Sequence, residues 1–330
     1  MKDLLLKIYE YCYGHNALFR YKEKHKYVQW LFCNVMSRLC AYVFTKYMIL
    51  RGPHKPCIKK RNYCENAIVS LTSFPKRINT LWMVIDSLCN QNLQPRVINL
   101  TLCVDEFPNM ERDLPNSLLY YKDYGLRISW IDHSLGPHSK YLYALQHYAE
   151  HYVITVDDDI YYRKDLVQRL YSISRRFPSC VCANNAVQIV NTDFIIPTYN
   201  NFSLPSNELY PSHNYLALGY NGVIYPPHVF NNSQAYDTDV IKHTCKRADD
   251  LWLKAQEILC DVKVVYGGFY TTSIEIYGSQ LISLRSTNTS KVESGNDKQW
   301  ENLNKTFNLN NRLIEKVKEE NERNKETPHI

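Results

Sequence analysis

An acidic triplet at the end of an apolar run is the part of the sequence best suited to carry chemistry. Asp157, Asp158 and Asp159 follow the run Tyr-Val-Ile-Thr-Val at residues 152–156. Neighbouring carboxylates repel each other and lose hydration when they are buried. A solvated acidic turn is one explanation. The other is a divalent cation, because two carboxylates one residue apart in a turn can face one Mg²⁺ or Mn²⁺ ion, which also binds phosphates.

A lysine stands at a second feature that favours anions. Residues 136–140 read Gly-Pro-His-Ser-Lys and precede a helical pattern, which places Ser139 and Lys140 at a helix start. Helix N-termini attract anions, and Lys140 adds a point charge. Pyrophosphate is the natural ligand for this arrangement, although a surface lysine fits the same pattern equally well.

Strands and helices alternate over the middle of the chain. Apolar runs predict strands at 67–71, 95–104, 126–131, 152–156 and 180–190, with helical stripes between several of them. This alternation is typical of βαβ units and predicts an α/β fold with a mostly parallel sheet flanked by helices. Ligands of such sheets bind beyond the carboxyl ends of the strands. The triplet therefore lies where a ligand is expected.

Composition divides the chain into three parts. Residues 1–60 are predicted to be a helical segment that ends at a Gly-Pro-rich linker, residues 61–290 a catalytic or binding domain, and residues 291–330 a polar C-terminal helix or tail. Within the middle part, residues 191–240 are irregular and rich in Asn and Pro, as functional loops often are. A helix at 247–259 and a strand at 262–267 follow.

Charge and cysteine usage narrow the class of protein. The formal net charge of +6 among 330 residues suits an anionic ligand or a membrane surface, and no aromatic-basic signature of a nucleic-acid partner accompanies it. The 11 cysteines form no Cys-x-x-Cys pair, so zinc sites and a disulfide framework are disfavoured. With no signal peptide visible, we expect a cytoplasmic protein with reduced thiols.

A long helical stripe near the N-terminus has two interpretations. Apolar residues recur at helical spacing over residues 27–50, but Arg38 and Lys46 interrupt them, so the stretch is not a continuous apolar span. Basic residues flank it on both sides. The helix either lies on the anionic inner face of the cytoplasmic membrane or packs its apolar face on the main domain.

Five segments together resemble a known group of enzymes. They are SLTSFPKRI, GPHSKYLYAL, ITVDDDIYY, GYNGVIYPP and CKRADDLWL, which occur in this order within residues 67–260. The ordered set resembles nucleotide-sugar glycosyltransferases of the GT-A fold, and more closely a bacterial family-2-like group that makes capsule, lipopolysaccharide or exopolysaccharide. The resemblance implies a Rossmann-like GT-A domain and transfer of sugar from a nucleoside-diphosphate donor, with UDP expected, to a saccharide or lipid-linked saccharide. It does not cover residues 1–60 or the tail.

The resemblance also implies residues that bind the donor. In the family the first strand and its turn contact the nucleoside, which points to Thr72, Ser73 and Arg77, and a carboxylate after the second strand lies near the base, here Asp105. An arginine beside a Ser/Thr turn is suited to gripping a phosphate. The first acid of the triplet, Asp157, would contact the ribose.

The same resemblance also implies which residues bind the metal and which residue accepts the proton. Asp159, with Asp157, would bind Mn²⁺ or Mg²⁺, while Asp158 is either a further donor contact or the residue that shapes the turn. The family often supplies a histidine from the C-terminal segment as another ligand, but no histidine occurs between His243 and His329. The acidic pair Asp249–Asp250 matches the family's catalytic position, and a carboxylate there would act as general base. Helix capping is the alternative role for both.

Three other classes stay open on the residues alone. A nucleotidyltransferase normally has a glycine-rich basic loop after its first strand, and SLTSFPKRI has no glycine. A phosphatase with an acidic nucleophile carries its triplet on the first strand, whereas this one follows about the fourth. A non-catalytic saccharide-binding protein would bind a nucleotide-sugar without metal-dependent turnover.

Overall fold

The structure is a computed structural model that describes most of the chain. The described residues are 2–22, 27–56, 62–205, 207–268, 274–279 and 295–326. Ten helices lie among them: α1 Lys2–Lys22, α2 Tyr27–Arg51, α3 Ile78–Cys89, α4 Asn116–Leu119, α5 Ser139–His147, α6 Leu166–Arg176, α7 Thr238–Thr244, α8 Asp249–Leu259, α9 Asn296–Phe307 and α10 Leu309–Glu326.

The strands are mostly short. They are β1 Tyr63–Thr72, β2 Gln94–Cys103, β3 Leu126–Ile131, β4 Tyr152–Thr155, β5 Ile160–Tyr161, β6 Val181–Ala183, β7 Ala186–Gln188, β8 Pro211–Ser212, β9 Tyr215–Ala217, β10 Val223–Tyr225, β11 Val264–Tyr266 and β12 Ile274–Glu275. Eight of them form one sheet in the order β3-β2-β1-β4-β10-β6-β11-β8, while β12 pairs with β5 and β7 with β9.

The main sheet is parallel except at two strands. Strands β3, β2, β1 and β4 run parallel to one another, as do β6 and β11. Strand β10 is antiparallel to β4 and β6, and β8 is antiparallel to β11. The prediction of an α/β fold with a mostly parallel sheet flanked by helices is confirmed. The central strands read as apolar runs because both of their faces are covered: Ile68, Val69 and Ile154 are fully buried.

One predicted strand is divided in two. Residues 180–190 were expected to form a single strand, but β6 belongs to the main sheet and β7 pairs with β9 elsewhere. Asn184 and Asn185 lie between the two strands. The buried Asn184 amide donates to Asn221 O at 2.9 Å and accepts from Arg169 Nε at 3.0 Å. These hydrogen bonds to distant residues end the strand pairing of β6. The apolar pattern of the sequence does not encode them.

Helices α1 and α2 pack against the same apolar core as the sheet. Phe44 and Met48 of α2 are fully buried in the cluster that contains Leu71 and Leu81, and the Phe44 ring meets Tyr161 edge-on with centroids 5.0 Å apart. One face of the predicted N-terminal helix therefore packs on the main domain. The division of the chain into three domains stays a prediction.

A buried carboxylate ties the N-terminal segment to α3. Asp86 is fully buried and accepts hydrogen bonds of 2.9 Å from the hydroxyls of Tyr121 and Tyr161. His54 Nδ1 lies 3.3 Å and Lys2 Nζ 3.9 Å from the same carboxylate. Because a buried charge needs partners, Asp86 links the ends of the helical segment to α3. Among the described residues, no helix combines the length and apolar character that crossing a bilayer requires.

The polar C-terminal stretch forms helices that pack on α8. Trp300 and Leu303 of α9 and Leu313 of α10 lie in the second apolar cluster of the core, together with Trp252. Glu320 of α10 accepts a 2.8 Å bond from Ser212 Oγ. These helices support α8 from outside, and the start of α8 reaches the candidate site.

Candidate active site

Strand directions bring the predicted residues to one edge of the sheet. Strands β1, β4, β6 and β11 all end at this edge, and β10 begins there. The turn after β1 carries Ser73, the turn after β4 carries the acidic triplet, and the segment before β10 carries Gly219 and Asn221. The carboxyl edge is therefore the place where these groups meet, as ligands of such sheets require.

One half of the site is built around Arg77. Its guanidinium forms ion pairs with Asp158 Oδ1 and, at 3.1 Å, with Asp159 Oδ2. It also donates to Ser279 O at 3.1 Å, and Ser73 Oγ donates to Asp158 Oδ2 at 2.6 Å. Arg77 is 9% exposed, so it is not a surface arginine. Both oxygens of Asp158 are engaged inside the protein, which makes Asp158 the residue that orients Arg77 and the turn.

The other half is built around Lys140. Its ammonium lies 2.9 Å from Asp157 Oδ1 and 2.8 Å from Asp249 Oδ2, and it is 5% exposed. Burial alone would lower the pKa of Lys140, but the charges of Asp157, Asp249 and Asp250 raise it well above its usual value. Lys140 is thus a buried, permanently charged bridge between the triplet and the start of α8, and not a surface lysine.

Gly219 lies against both Lys140 and Asp250. Its amide donates to Asp250 Oδ1 at 3.2 Å. A Cβ atom built on Gly219 would stand 3.1 Å from Lys140 Nζ and 3.2 Å from Asp250 Oδ1. The segment approaches the charged groups so closely that a side chain at 219 would displace one of them. Burial, followed by the neighbouring charge of Asp249, raises the pKa of Asp250 well above its usual value, which strengthens it as a proton acceptor.

Among the residues that the structure describes, carboxylates outnumber cations at this edge. Asp157, Asp158, Asp159, Asp249 and Asp250 share the two basic groups Arg77 and Lys140. Burial, and then the charge of Asp157, raise the pKa of Asp159 to about 7. Such an excess of desolvated negative charge is what an added cation would relieve.

The carboxylates of the site fit a hard divalent cation that is also bound by water and phosphate. In the described part of the chain, no three His, Cys, Asp or Glu side chains are gathered closely enough to hold a metal by themselves. Mg²⁺ commonly takes only one or two protein carboxylates and completes its shell with water and substrate phosphates. Asp157, whose side chain is 33% exposed, and Asp159 are carboxylates of that kind.

Two predicted residues lie outside this cluster. Thr72 Oγ1 donates to Thr101 O at 2.8 Å and is thereby committed to the adjacent strand. Asp105 is 64% exposed and pairs with His133 at 2.8 Å. The structure thus brings together Ser73, Arg77, Lys140, Asp157, Asp158, Asp159, Asp249 and Asp250, but not Thr72 or Asp105.

A tyrosine and a short segment belong to the site although sequence patterns did not single them out. The hydroxyl of the buried Tyr162 accepts from Asp157 N at 2.8 Å and donates to Tyr220 O at 3.2 Å. Residues 274–279 cover the half built around Arg77: Ile276 N donates to Asp159 O at 2.9 Å. The aromatic residues after the triplet were a visible signal for Tyr162. Nothing in the sequence marks residues 274–279.

Comparisons with known proteins give low similarities. No protein-family model matches the chain, and no curated protein matches it. A structure of Staphylococcus aureus TarS residues 1–349 with UDP is 16% identical, with a TM-score of 0.42, and the match covers 62% of this chain and 59% of that chain. A Pyrobaculum calidifontis mannosyltransferase solved with GDP-Man and Mn²⁺ is 11% identical, with a TM-score of 0.41 over 89% of this chain and 84% of that one.

A third solved structure belongs to a different class of enzyme. The 4-diphosphocytidyl-2C-methyl-D-erythritol synthase of Anaerococcus prevotii is 15% identical, with a TM-score of 0.39 over 67% of this chain and 95% of that one. Likeness of this extent establishes neither family nor activity. The function is therefore argued from the site itself.

Proposed function

We propose that the chain is a metal-dependent glycosyltransferase that moves a sugar from a nucleoside-diphosphate donor, in the first instance a UDP-sugar, to a saccharide. The observation that carries the proposal is the gathering of five described carboxylates, a buried arginine and a buried lysine at the carboxyl edge of the sheet. A divalent cation with a diphosphate is the ligand pair that such an edge accommodates. The motif set that resembles the GT-A enzymes supports the same reaction.

On the donor side, Asp157 and Asp159 would hold Mn²⁺ or Mg²⁺. The bound cation would neutralise the charge that develops on the diphosphate leaving group. Arg77 fixes the position of Asp159 through the 3.1 Å ion pair, and Asp158 with Ser73 fixes Arg77 in turn. The chain's own contribution on this side is to hold two carboxylates in one turn against their mutual repulsion.

On the acceptor side, Asp250 would take the proton. In an inverting transfer the acceptor oxygen bonds to the anomeric carbon, the bond to the diphosphate breaks, and the acceptor proton passes to the carboxylate. The amide of Gly219 donates to one oxygen of Asp250 at 3.2 Å, and the other oxygen would take the proton. Lys140 draws Asp249 towards Asp157 and so keeps the base close to the donor side.

The acceptor and the place of action follow from the same resemblance. We propose a saccharide or lipid-linked saccharide of a cell-surface polysaccharide as acceptor, and a cytoplasmic enzyme with peripheral contact to the membrane through residues 27–50. The absence of glycine from the turn at 71–77 argues against a nucleotidyltransferase. The products separate the two activities, because a nucleotidyltransferase releases pyrophosphate from a nucleoside triphosphate.

A donor screen tests the proposal. Purified full-length protein is incubated with a panel of nucleotide-sugars and Mn²⁺ or Mg²⁺, and released nucleoside diphosphate is measured with and without cell-surface glycans. We expect metal-dependent release from at least one donor, and Asp159→Asn should lower it by about a hundredfold or more through loss of a charged metal ligand. The matched control is Asp123→Asn, which changes an exposed carboxylate at the opposite edge of the sheet. Binding of donors by the wild type without metal-dependent turnover contradicts the proposal.

A further inference from the structure

Helix α2 carries apolar residues on two faces. The inner face packs on the core through Cys40, Ala41, Phe44 and Met48. The outer face is exposed, with each side chain between 41% and 88% accessible. We call the following seven residues the outer face: Leu31, Phe32, Val35, Leu39, Tyr42, Ile49 and Leu50.

The outer face is one continuous stripe. At about 100° per residue, its seven members fall within an arc of roughly 120°, and the inner residues lie on the other side of the helix. Exposed Phe32, Val35 and Leu39 occupy successive turns of this stripe. Contiguous apolar patches of this kind mark interaction sites, whereas single exposed apolar residues do not.

Charge on the helix selects the kind of partner. Helix α2 contains no Asp or Glu, and its exposed basic residues Arg38 and Lys46 fall on or beside the same arc. Lys46 Nζ stands 5.6 Å from the centre of the Tyr42 ring. Long basic side chains lie along apolar surface and keep their charge at the rim. Apolar residues with interleaved cations and no acids match the surface of an anionic bilayer.

A short segment joins the outer face to the acidic edge. Tyr277 is 52% exposed and meets Tyr42 edge-on, with ring centroids 5.0 Å apart. Its amide donates to Thr45 Oγ1 of α2 at 2.9 Å. One residue earlier, Ile276 N donates to Asp159 O, and two residues later Ser279 O accepts from Arg77. Residues 274–279, the bridge segment, thus contact α2 and the donor half of the site at once.

We propose that the outer face of α2, with Tyr277 at its border, docks on an anionic phospholipid bilayer, and that the acceptor is a saccharide carried by a lipid of that bilayer. The second part rests on the proposed glycosyltransferase function. Since the bridge segment holds the acidic edge next to the outer face, docking places that edge beside the saccharide headgroups. A saccharide carried by a lipid of that bilayer is the acceptor that this arrangement would bring to the acidic edge.

Vesicle binding tests the docking face. Full-length protein is sedimented with vesicles of phosphatidylglycerol and phosphatidylethanolamine, or of phosphatidylcholine alone. We expect binding to the anionic vesicles, and the triple variant Phe32→Ser, Val35→Ser, Leu39→Ser should weaken it by about tenfold or more, since apolar insertion supplies much of the binding free energy. The exposed pair Ile195→Ser, Leu204→Ser is the matched control and should bind as the wild type does.

Label transfer tests the acceptor class. The donor identified in the screen, radiolabelled in its sugar, is incubated with bacterial membrane vesicles, and the products are divided into an organic-solvent extract and a water-soluble fraction. We expect wild-type protein to label the extract and the triple variant to do so about tenfold less, while both release nucleoside diphosphate equally in the absence of vesicles. Label only in the water-soluble fraction overturns the lipid-linked acceptor. Failure of wild-type donor turnover refutes the glycosyltransferase function and leaves vesicle binding to be judged by itself.

Two outcomes of the binding experiment overturn the docking face. One is unchanged binding of the triple variant to anionic vesicles. The other is a wild-type dimer in sedimentation velocity that the triple variant converts to a monomer, without vesicle binding by either, which would make the outer face an interface between copies. Unfolding midpoints of the variants should match the wild type, because the substituted side chains are exposed.

Discussion

Lys140 shows how a single residue joins the two halves of the site. An ammonium at 5% exposure is stable there because carboxylates face it from two different elements, the turn after β4 and the start of α8. Removing one partner of a buried ion pair leaves the other uncompensated. Lys140 therefore fixes the separation of Asp157 and Asp249, and its influence on a donor phosphate passes through those carboxylates.

Gly219→Ala is expected to impair transfer without unfolding the protein. The new Cβ would press on Lys140 Nζ at 3.1 Å and Asp250 Oδ1 at 3.2 Å, so both must shift by a few tenths of an ångström. A displaced base lowers the rate more than it weakens donor binding, and we expect kcat to fall by about tenfold to a hundredfold at little changed KM for the donor.

Gly125→Ala is the contrasting variant. Its Cβ meets nothing within 4 Å, but the backbone φ of +103° is unfavourable for alanine. We expect a loss of stability of about 1–2 kcal/mol and unchanged kcat. If Gly219→Ala retains full kcat, or loses activity only in proportion to stability, the close approach of this segment has no catalytic consequence.

At the scale of elements, the starts of α5 and α8 are held together by a buried histidine. His138, directly before α5, is fully buried, and its ring nitrogens bond Tyr141 Oη at 2.8 Å and Cys245 O at 2.7 Å. Cys245 lies shortly before α8. His138 therefore holds together the two helix starts that carry Lys140 and the acidic pair.

The burial of His138 predicts that the free energy of unfolding depends on pH. Burial lowers the pKa of His138 from 6.5 to about 4, so the unfolded chain binds a proton at a higher pH than the folded chain does. The stabilising effect of the neutral ring is fully present above about pH 6.5 and is lost as pH falls towards 4, on the order of 3 kcal/mol in total.

Denaturant unfolding of wild type and His138→Gln between pH 4.5 and 7.5 measures this effect. Other groups titrate in the same range, so the informative quantity is the difference in free energy of unfolding between the two proteins. We expect that difference to shrink as pH is lowered. Parallel profiles for the two proteins would mean that His138 does not stay neutral in the folded state.

At the scale of the whole molecule, the N-terminal helices and the sheet share one core. Phe44 and Met48 are fully buried among residues of the sheet and α3, and the buried carboxylate of Asp86 is met by His54 and Lys2. Removing the N-terminal segment would expose this apolar surface and leave Asp86 with fewer partners. Point variants on the outer face are for this reason a better test of membrane contact than truncation.

Two phenylalanines on opposite faces of α2 test this view of the molecule. Phe44→Ala removes a fully buried ring and should lower the free energy of unfolding by about 3–5 kcal/mol. Phe32→Ala, at a residue 60% exposed, should change it by less than about 0.5 kcal/mol. Thermal and denaturant unfolding measure both. Similar small effects for the two variants would show that α2 does not belong to the core.

Local patterns in the sequence determined several of the elements and the position of the acidic triplet. Strand β3 lies at the predicted residues 126–131, and β4 and α8 agree with their patterns within a few residues. Apolar periodicity encodes these elements because each buries its side chains at a fixed repeat. The place of the triplet at a strand end follows, since the carboxyl edge is a property of parallel sheets.

Only the tertiary structure decided which groups meet across the sheet. The sequence did not show whether Lys140 is exposed, which group Asp158 contacts, or which face of α2 packs on the core. Each answer depends on partners far away in the chain: Asp249 for Lys140, Arg77 for Asp158, Tyr161 for Phe44. No local repeat in the sequence encodes such pairs, because the partners are far apart in the chain and only the tertiary fold brings them into contact.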